Sequence, residues 1–171
     1  MSSQETNKIM SVYDEILGHL HEGCNQIYGP RLESLIVFGS VGRGMMKPES
    51  DIDLLVIADP LPRGRIPRVQ EFQSVEEIMH SVLAHVADTY GVSTYLSPVL
   101  KTPREVQCGS PLFLDMLDDA RVLFDRDRFF QNEMDRLRAR LDRLGARRIW
   151  EGDHWYWDLK PDYRVGEVFA L

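Results

Sequence analysis

Apolar residues recur in two different rhythms along this chain. From Thr6 to Tyr28, Ile9, Val12, Tyr13, Ile16, Leu17, Leu20 and Ile27 fall three or four positions apart, which predicts one helix ended by Gly29-Pro30. The same spacing returns from Arg68 to Tyr90 through Val69, Phe72, Val75, Ile78, Met79, Val82, Leu83 and Val86, and Gly91 closes this second helix. Between the two helices the rhythm changes. Leu35 to Phe38 is an unbroken apolar run bounded by glycine, which reads as a strand covered on both faces. The chain re-enters a strand over Asp51 to Ile57, and Asp59 to Pro67, with three prolines and a glycine, reads as a loop.

The second half is more broken. Val92 to Leu100 predicts a third strand. Thr102-Pro103-Arg104-Glu105 has the spacing of a capping box with proline in the first turn, and Ser110-Pro111 opens a short helix over Leu112 to Leu117. Arg121 to Asp125 reads as a short strand. Arg126 to Leu144 reads as a charged helix striped with Phe129, Phe130, Met134, Leu137 and Leu141, ended by Gly145. Arg147 to Glu151 and His154 to Leu159 flank Gly152-Asp153 as a β-hairpin that carries all three tryptophans.

Chemistry concentrates in residues 35–57. Asp51 and Asp53 share one face of their strand, with Cα atoms about 6–7 Å apart at a rise of about 3.3 Å per residue. Two carboxylates beside an apolar run repel each other and resist burial unless a cation lies between them. Oxygen-only ligands favour Mg²⁺ or Mn²⁺. Gly39 and Ser40, where a strand runs into a short helix, offer backbone N–H groups to an anion, with Arg43 and Lys47 as further positive charge. A phosphate cradle beside a metal-holding acid pair points to a nucleoside triphosphate.

Gly39-Ser40, ten residues, then Asp51-Ile52-Asp53, with Arg43-Gly44 inside and Ser50 before the acids, resembles the minimal nucleotidyltransferases of the DNA polymerase beta superfamily. The likeness is specific over residues 32–58 and looser over 9–100. It implies an α+β fold with an α/β-type core: a small mixed β-sheet flanked by helices, followed by a C-terminal helix and hairpin appendage. We expect a nucleotidyltransferase core over residues 1–105 and an extension over 106–171 packed on it. The resemblance further implies transfer of a nucleoside monophosphate, AMP from ATP foremost, with pyrophosphate released. Asp51 and Asp53 would bind Mg²⁺, and the Gly39-Ser40 pair would hold the triphosphate. Small members of the family occur as antitoxins beside helical HEPN toxins, and some are similar to enzymes that place AMP on a toxin tyrosine, so a HEPN-type protein is the implied partner. The family's third carboxylate, usually on the strand after the second helix, is missing from Val92 to Leu100. Asp115, Asp118, Asp119 and Asp158 are the alternatives elsewhere, and a nucleotide-binding module without turnover is the alternative function.

Composition narrows the partners. With a net charge of −7 the chain is no general nucleic-acid coat. Residues 126–148 run against that balance, with eight arginines against four acids, and read first as a solvated helix laced with ion pairs and second as a face for RNA or an acidic partner. Trp155 and Trp157 read as packing residues for the hairpin against the last helix or a second copy of the chain. His19, His21, His80 and His85 read as structural, and Arg63 and Arg65 as loop arginines within reach of a triphosphate or an acidic partner. Cys24 and Cys108 are expected to be reduced and buried. A polar start without a signal peptide and the lack of a membrane-length apolar run make the cytoplasm the expected location. The end, Gly166 to Leu171, reads as docked on the body.

Overall fold

A computed structural model describes residues 3–152, 154–164 and 166–168. The first helix, α1, spans Ser3–Tyr28, followed by a single 3-10 turn at Gly29–Arg31. Strand β1 (Leu32–Phe38) leads into a one-turn helix, α2 (Gly39–Gly42), and then β2 (Ile52–Ala58). Helix α3 (Arg65–Tyr90) crosses to β3 (Leu96–Lys101). Next come α4 (Pro103–Gln107), a 3-10 segment at Pro111–Met116, β4 (Arg121–Asp125), α5 (Phe129–Leu144) and a hairpin of β5 (Arg147–Glu151) and β6 (His154–Asp158).

Four strands form one mixed sheet in the order β3-β2-β1-β4, with β1 antiparallel to β2 and β4 and with β2 parallel to β3. The unbroken apolar runs of β1 and β2 follow from the layering. Leu35, Val37, Leu54 and Val56 join one core with α1 and α3, while Ile36, Phe38, Leu55 and Ile57 join another with α5 and the 3-10 segment. A central strand with a helical layer on each face has no solvated side to carry polar residues. Residues after 105 therefore supply both the edge strand β4 of the same sheet and the second covering layer.

Two elements start later or earlier than the hydrophobic pattern suggests. Helix α3 begins at Arg65, because Gly64 (φ 89) turns the chain directly into it and Pro67 fits the first turn. Strand β3 begins at Leu96 because residues 93–94 bond to the loop before β2 instead of joining a ladder: Ser93 N–H donates to the Pro48 carbonyl at 2.9 Å and the Thr94 hydroxyl to the Ser50 carbonyl at 2.7 Å. Cys24 is buried, and burial pushes its thiol up to about 12, but Cys108 is exposed beyond the end of α4 rather than buried as expected. Residues 166–168 are exposed, Val168 at 98%, so the described part of the C-terminal tail does not pack on the core and is tied by the ion pair of Glu167 with Lys160 at 2.6 Å, and residues 169–171 lie outside the described ones. Trp157 and Leu159 pack on the core beneath α5, and the Arg148 guanidinium lies 5.0 Å over the Trp150 ring. Asp153 and the Trp155 side chain lie outside the described residues.

The predicted capping box is formed in full. Thr102 N–H donates to Glu105 Oε2 at 2.8 Å, and Glu105 N–H to Thr102 Oγ1 at 3.3 Å. Arg68 of α3 grips the same carboxylate with its two terminal guanidinium nitrogens, at 2.7 and 3.1 Å. Mainly through that Arg68 bond, Glu105 is held at about 2, below its ordinary 4.5. A depressed carboxylate stabilises the fold above its unfolded value and loses that contribution as pH falls through its folded one. Acid unfolding should therefore steepen between pH 4.5 and about 2. Glu105→Gln should remove that component and cost about 1 kcal/mol at neutral pH. Denaturant midpoints measured across this range check both outcomes.

Candidate active site

The site grows from a kink. β1 ends extended at Phe38 (φ −133), and Gly39 then turns to φ +67 to start α2. In the antiparallel register Phe38 lies opposite Asp53, so the turning residue meets the Asp53 side chain. A Cβ on Gly39 would sit 2.3 Å from Asp53 Oδ2 and 3.2 Å from its carboxyl carbon. Only glycine permits both the left-handed turn and this approach. The first-turn N–H groups of so short a helix have no acceptors inside it. Downstream, Arg43 N–H bonds the Gly39 carbonyl at 3.1 Å and Met45 N–H bonds the Ser40 carbonyl at 2.9 Å, which closes the loop.

A second set of contacts fixes where β2 begins. The Ser50 carbonyl accepts from the buried Tyr13 hydroxyl at 2.7 Å and from Thr94 at 2.7 Å, and Lys47 N–H donates to Ser50 Oγ at 2.9 Å. These bonds hold the backbone immediately before Asp51. Asp51 precedes β2 and Asp53 is its second residue, both half-buried, so the structure brings the acid pair and the glycine turn together.

Charge at the pair is unbalanced. Burial and the neighbouring Asp51 push the Asp53 carboxyl above its ordinary value, against a hydrogen bond from Ser97 and the positive charge of Arg43. The Tyr95 phenol is pushed up in turn by its hydrogen bond to Asp51 and by the negative charge of both aspartates. Among the described residues no group of three or more His, Cys, Asp or Glu is arranged to hold a metal ion. Two crowded carboxylates match the way Mg²⁺ binds when substrate phosphates and water complete its oxygen shell. The residues present thus fit a divalent cation.

Arg43 stands in the field of both Asp53 and Asp115, whereas Lys47 is exposed at the outer turn of the loop and contributes its backbone. Asp118 accepts from Arg138 at 3.0 Å and Arg148 at 3.4 Å, and Asp119 from Arg148 at 3.1 Å, so both are engaged in ion pairs. Asp158 lies opposite Arg147 in the hairpin. Arg65 lines a cleft of about 380 Å³ along β3 together with Arg68 and Lys101. The segment after Asp118 presses on α2: a Cβ on Gly42 would meet the Asp119 carbonyl oxygen at 2.7 Å and that of Val37 at 2.8 Å. Both are main-chain atoms that cannot swing aside. Gly42→Ala should cost about 1–3 kcal/mol by overpacking, read as a fall in melting temperature.

Sequence reasoning missed Tyr95 and Ser97. β2 and β3 pair in parallel with Asp53 opposite Ser97, which brings Ser97 and, two residues earlier, Tyr95 to the two aspartates. Ser97 stands on the strand where the family pattern led us to expect an acid. Period-two alternation could have placed both residues on one side of β3. The parallel register that sets them against the acids is not written in the sequence.

The nucleotidyltransferase domain family matches residues 19–106, a little over half of the chain. The chain belongs to this family. A candidate protein adenylyltransferase of Methanocaldococcus jannaschii is 33% identical over 144 residues, covering 83% of this chain and 92% of that protein. This nucleotidyltransferase is an enzyme that transfers nucleotides. Solved structures are more distant. A toxin–antitoxin crystal structure with AMP-PNP is 15% identical and covers 75% of this chain and 92% of that one, with a TM-score of 0.43. A tri-AMPylated Shewanella oneidensis HEPN toxin in complex with its MNT antitoxin gives 14% identity, 84% and 89% coverage, and a TM-score of 0.32. Structural similarity at this level is loose. Among the described residues, no helix is long and apolar enough to cross a membrane.

Proposed function

We propose that this nucleotidyltransferase is a Mg²⁺-dependent adenylyltransferase that moves AMP from ATP onto a hydroxyl of a partner protein. The observation that carries the reading is the carboxylate of Asp53 seated against Gly39, where a Cβ would lie only 2.3 Å from its oxygen. In this reading the contact supports Asp53 as a metal-binding acid working next to a turn that takes phosphate. Adenylyl specificity and a protein acceptor are supported by the archaeal relative's name at 33% identity.

In this reading Gly39 and Ser40 bind the outer phosphates through backbone N–H groups and the Ser40 hydroxyl, and Arg43 neutralises the pyrophosphate as it leaves. Lys47 adds positive charge at the mouth of the loop. Asp51 and Asp53 hold Mg²⁺, or Mn²⁺ in its place. The bound cation would supply charge neutralisation at the α-phosphate and an acceptor oxygen easier to deprotonate. Ser97, the register partner of Asp53 on β3, stands beside that carboxylate. Tyr13 and Thr94 keep Asp51 in position by fixing the backbone of Ser50.

The test is incubation with α-labelled ATP, Mg²⁺ and candidate acceptors, a HEPN-type protein first because the sequence resemblance implies one. Label on the acceptor with release of pyrophosphate is the expected result. Tight ATP binding without pyrophosphate release would favour a nucleotide-binding module, the reading that the acid-free β3 invites.

A further inference from the structure

Strand β3 is an edge of the four-stranded sheet, and it starts beside the acid pair, with Ser97 as the register partner of Asp53. Ile52 N–H donates to the Tyr95 carbonyl at 2.9 Å, so Ser97, Val99 and Lys101 turn their backbone groups to β2, and Leu96, Pro98 and Leu100 turn theirs outward. This edge is blunted against a further strand. Pro98 has no N–H to offer, and the Leu100 carbonyl already accepts from Arg68 at 3.2 Å. What runs along the edge instead is the cleft of about 380 Å³, lined by the first turn of α3, by β3 and by Glu105 of α4. It begins at Pro98, one residue past Ser97, and ends at Lys101. Lys101 lies about 13 Å from Ser97 on the same face of the strand, at about 3.3 Å per residue.

The charge of the cleft runs against that of the chain. Arg68 and Glu105 neutralise each other in their two-bonded ion pair. Arg65 and Lys101 form no ion pair among the described residues, nor do Arg63 and Arg104, each one position from a lining residue. Four cations without acidic partners thus gather at one edge of a chain whose net charge is −7. Between them, Val69, Pro98, Val99 and Leu100 line the cleft with aliphatic surface, and no aromatic side chain is there to stack on a base. Cationic ends and aliphatic walls match a polypeptide better than a nucleic-acid strand. We propose that this cleft docks the acceptor: an extended acidic segment of a partner protein lies along β3, with its carboxylates on Arg65 and Lys101. A hydroxyl at the end of that segment then arrives beside Ser97 and the acid pair. The proposal rests on the nucleotidyl-transfer reading above and gives the acceptor its chemical character.

The experiment uses the full chain and two labelled peptides, one with a tyrosine between Glu-Val-Glu segments and one with glutamine in place of each glutamate. The acidic peptide should bind about 10-fold tighter, and salt should erase the difference. Arg65→Glu combined with Lys101→Glu should remove the preference and transfer it to a peptide with lysine in place of glutamate. Arg65 opens α3, where a glutamate suits the helix dipole, so the charge reversal leaves the fold intact. With α-labelled ATP and Mg²⁺, the same variant should raise KM for the acidic peptide about 10-fold and keep kcat and the affinity for ATP. Equal binding of the two peptides, or a preference that survives the charge reversal, would overturn the proposal. So would loss of ATP binding in the variant, which gives the cleft to the nucleotide. Single-stranded RNA that binds more tightly than the acidic peptide and is lost in the variant would give it to nucleic acid. A dimer of the chain that the variant disperses would give it to a second copy, and either result overturns the proposal. Selective peptide binding with no transfer of label would leave the docking site standing and refute nucleotidyl transfer. Label transfer indifferent to peptide charge would do the reverse.

Discussion

Asp53→Asn is expected to abolish nucleotidyl transfer, by roughly 10³-fold or more in kcat, while stabilising the metal-free chain. The two effects share one cause. Asparagine keeps the shape of the side chain, so the Gly39 contact survives, but it removes a charge that binding a cation requires. The same charge is a burden when no cation is present, because burial and Asp51 both push the Asp53 carboxyl up. For an acid whose folded value is raised, the favourable contribution is complete below the unfolded value and disappears as pH rises through the folded one. The wild-type chain in EDTA should therefore lose stability as pH climbs from the ordinary carboxylate value near 3.8 through the raised one. The asparagine variant should not show that loss. Added Mg²⁺ and nucleotide should raise the wild-type melting temperature and leave the variant's nearly unmoved. Calorimetry over this pH range, with and without metal, reads all of this. Equal melting curves for the two chains in EDTA would refute the account of Asp53.

Gly39→Ala should be nearly as damaging, through geometry. The new methyl would lie 2.3 Å from Asp53 Oδ2, so the carboxylate must turn out of the site. A displacement of about 1 Å in a reacting group costs about 10²-fold in rate. The left-handed backbone at φ +67 adds about 1–2 kcal/mol of strain once a side chain is present. Gly91→Ala separates the two terms. Gly91 has nearly the same φ, +66, but nothing lies within 4 Å of its Cβ position. That variant should lose stability and keep its activity. The clash also predicts non-additivity: in an Asp53→Ala background, Gly39→Ala should cost less stability than it does alone, since the atom it strikes is gone. Additive costs would mean that the contact with Asp53 is not what makes glycine necessary.

The arginine-rich segment resolves into several roles. Arg136 pairs with Glu133 along α5, and Arg138 and Arg148 reach across to Asp118. Arg126 donates to the Leu32 carbonyl at 2.9 Å, and Asp125 accepts from Ser34, Phe130 N–H and Gln131 N–H. Of these arginines, Arg126 ties the segment to β1, while Arg138 and Arg148 tie it to the loop before β4. Pairs of this kind cannot be read from a run of basic residues, because their partners lie up to about 90 positions away.

What the residues alone determined is the local part of this enzyme. Helical spacing in α1 and α3, the doubly buried runs of β1 and β2, the capping box at Thr102 and the glycine turn before two alternating acids all depend on neighbours a few positions apart. Three features were decided only by tertiary structure: β3 lies parallel beside β2, residues 121–125 supply the fourth strand, and Tyr95 and Ser97 meet Asp51 and Asp53. Strand order and register depend on how two helical layers share the faces of one sheet, a balance of packing across the whole chain that no short window of sequence contains.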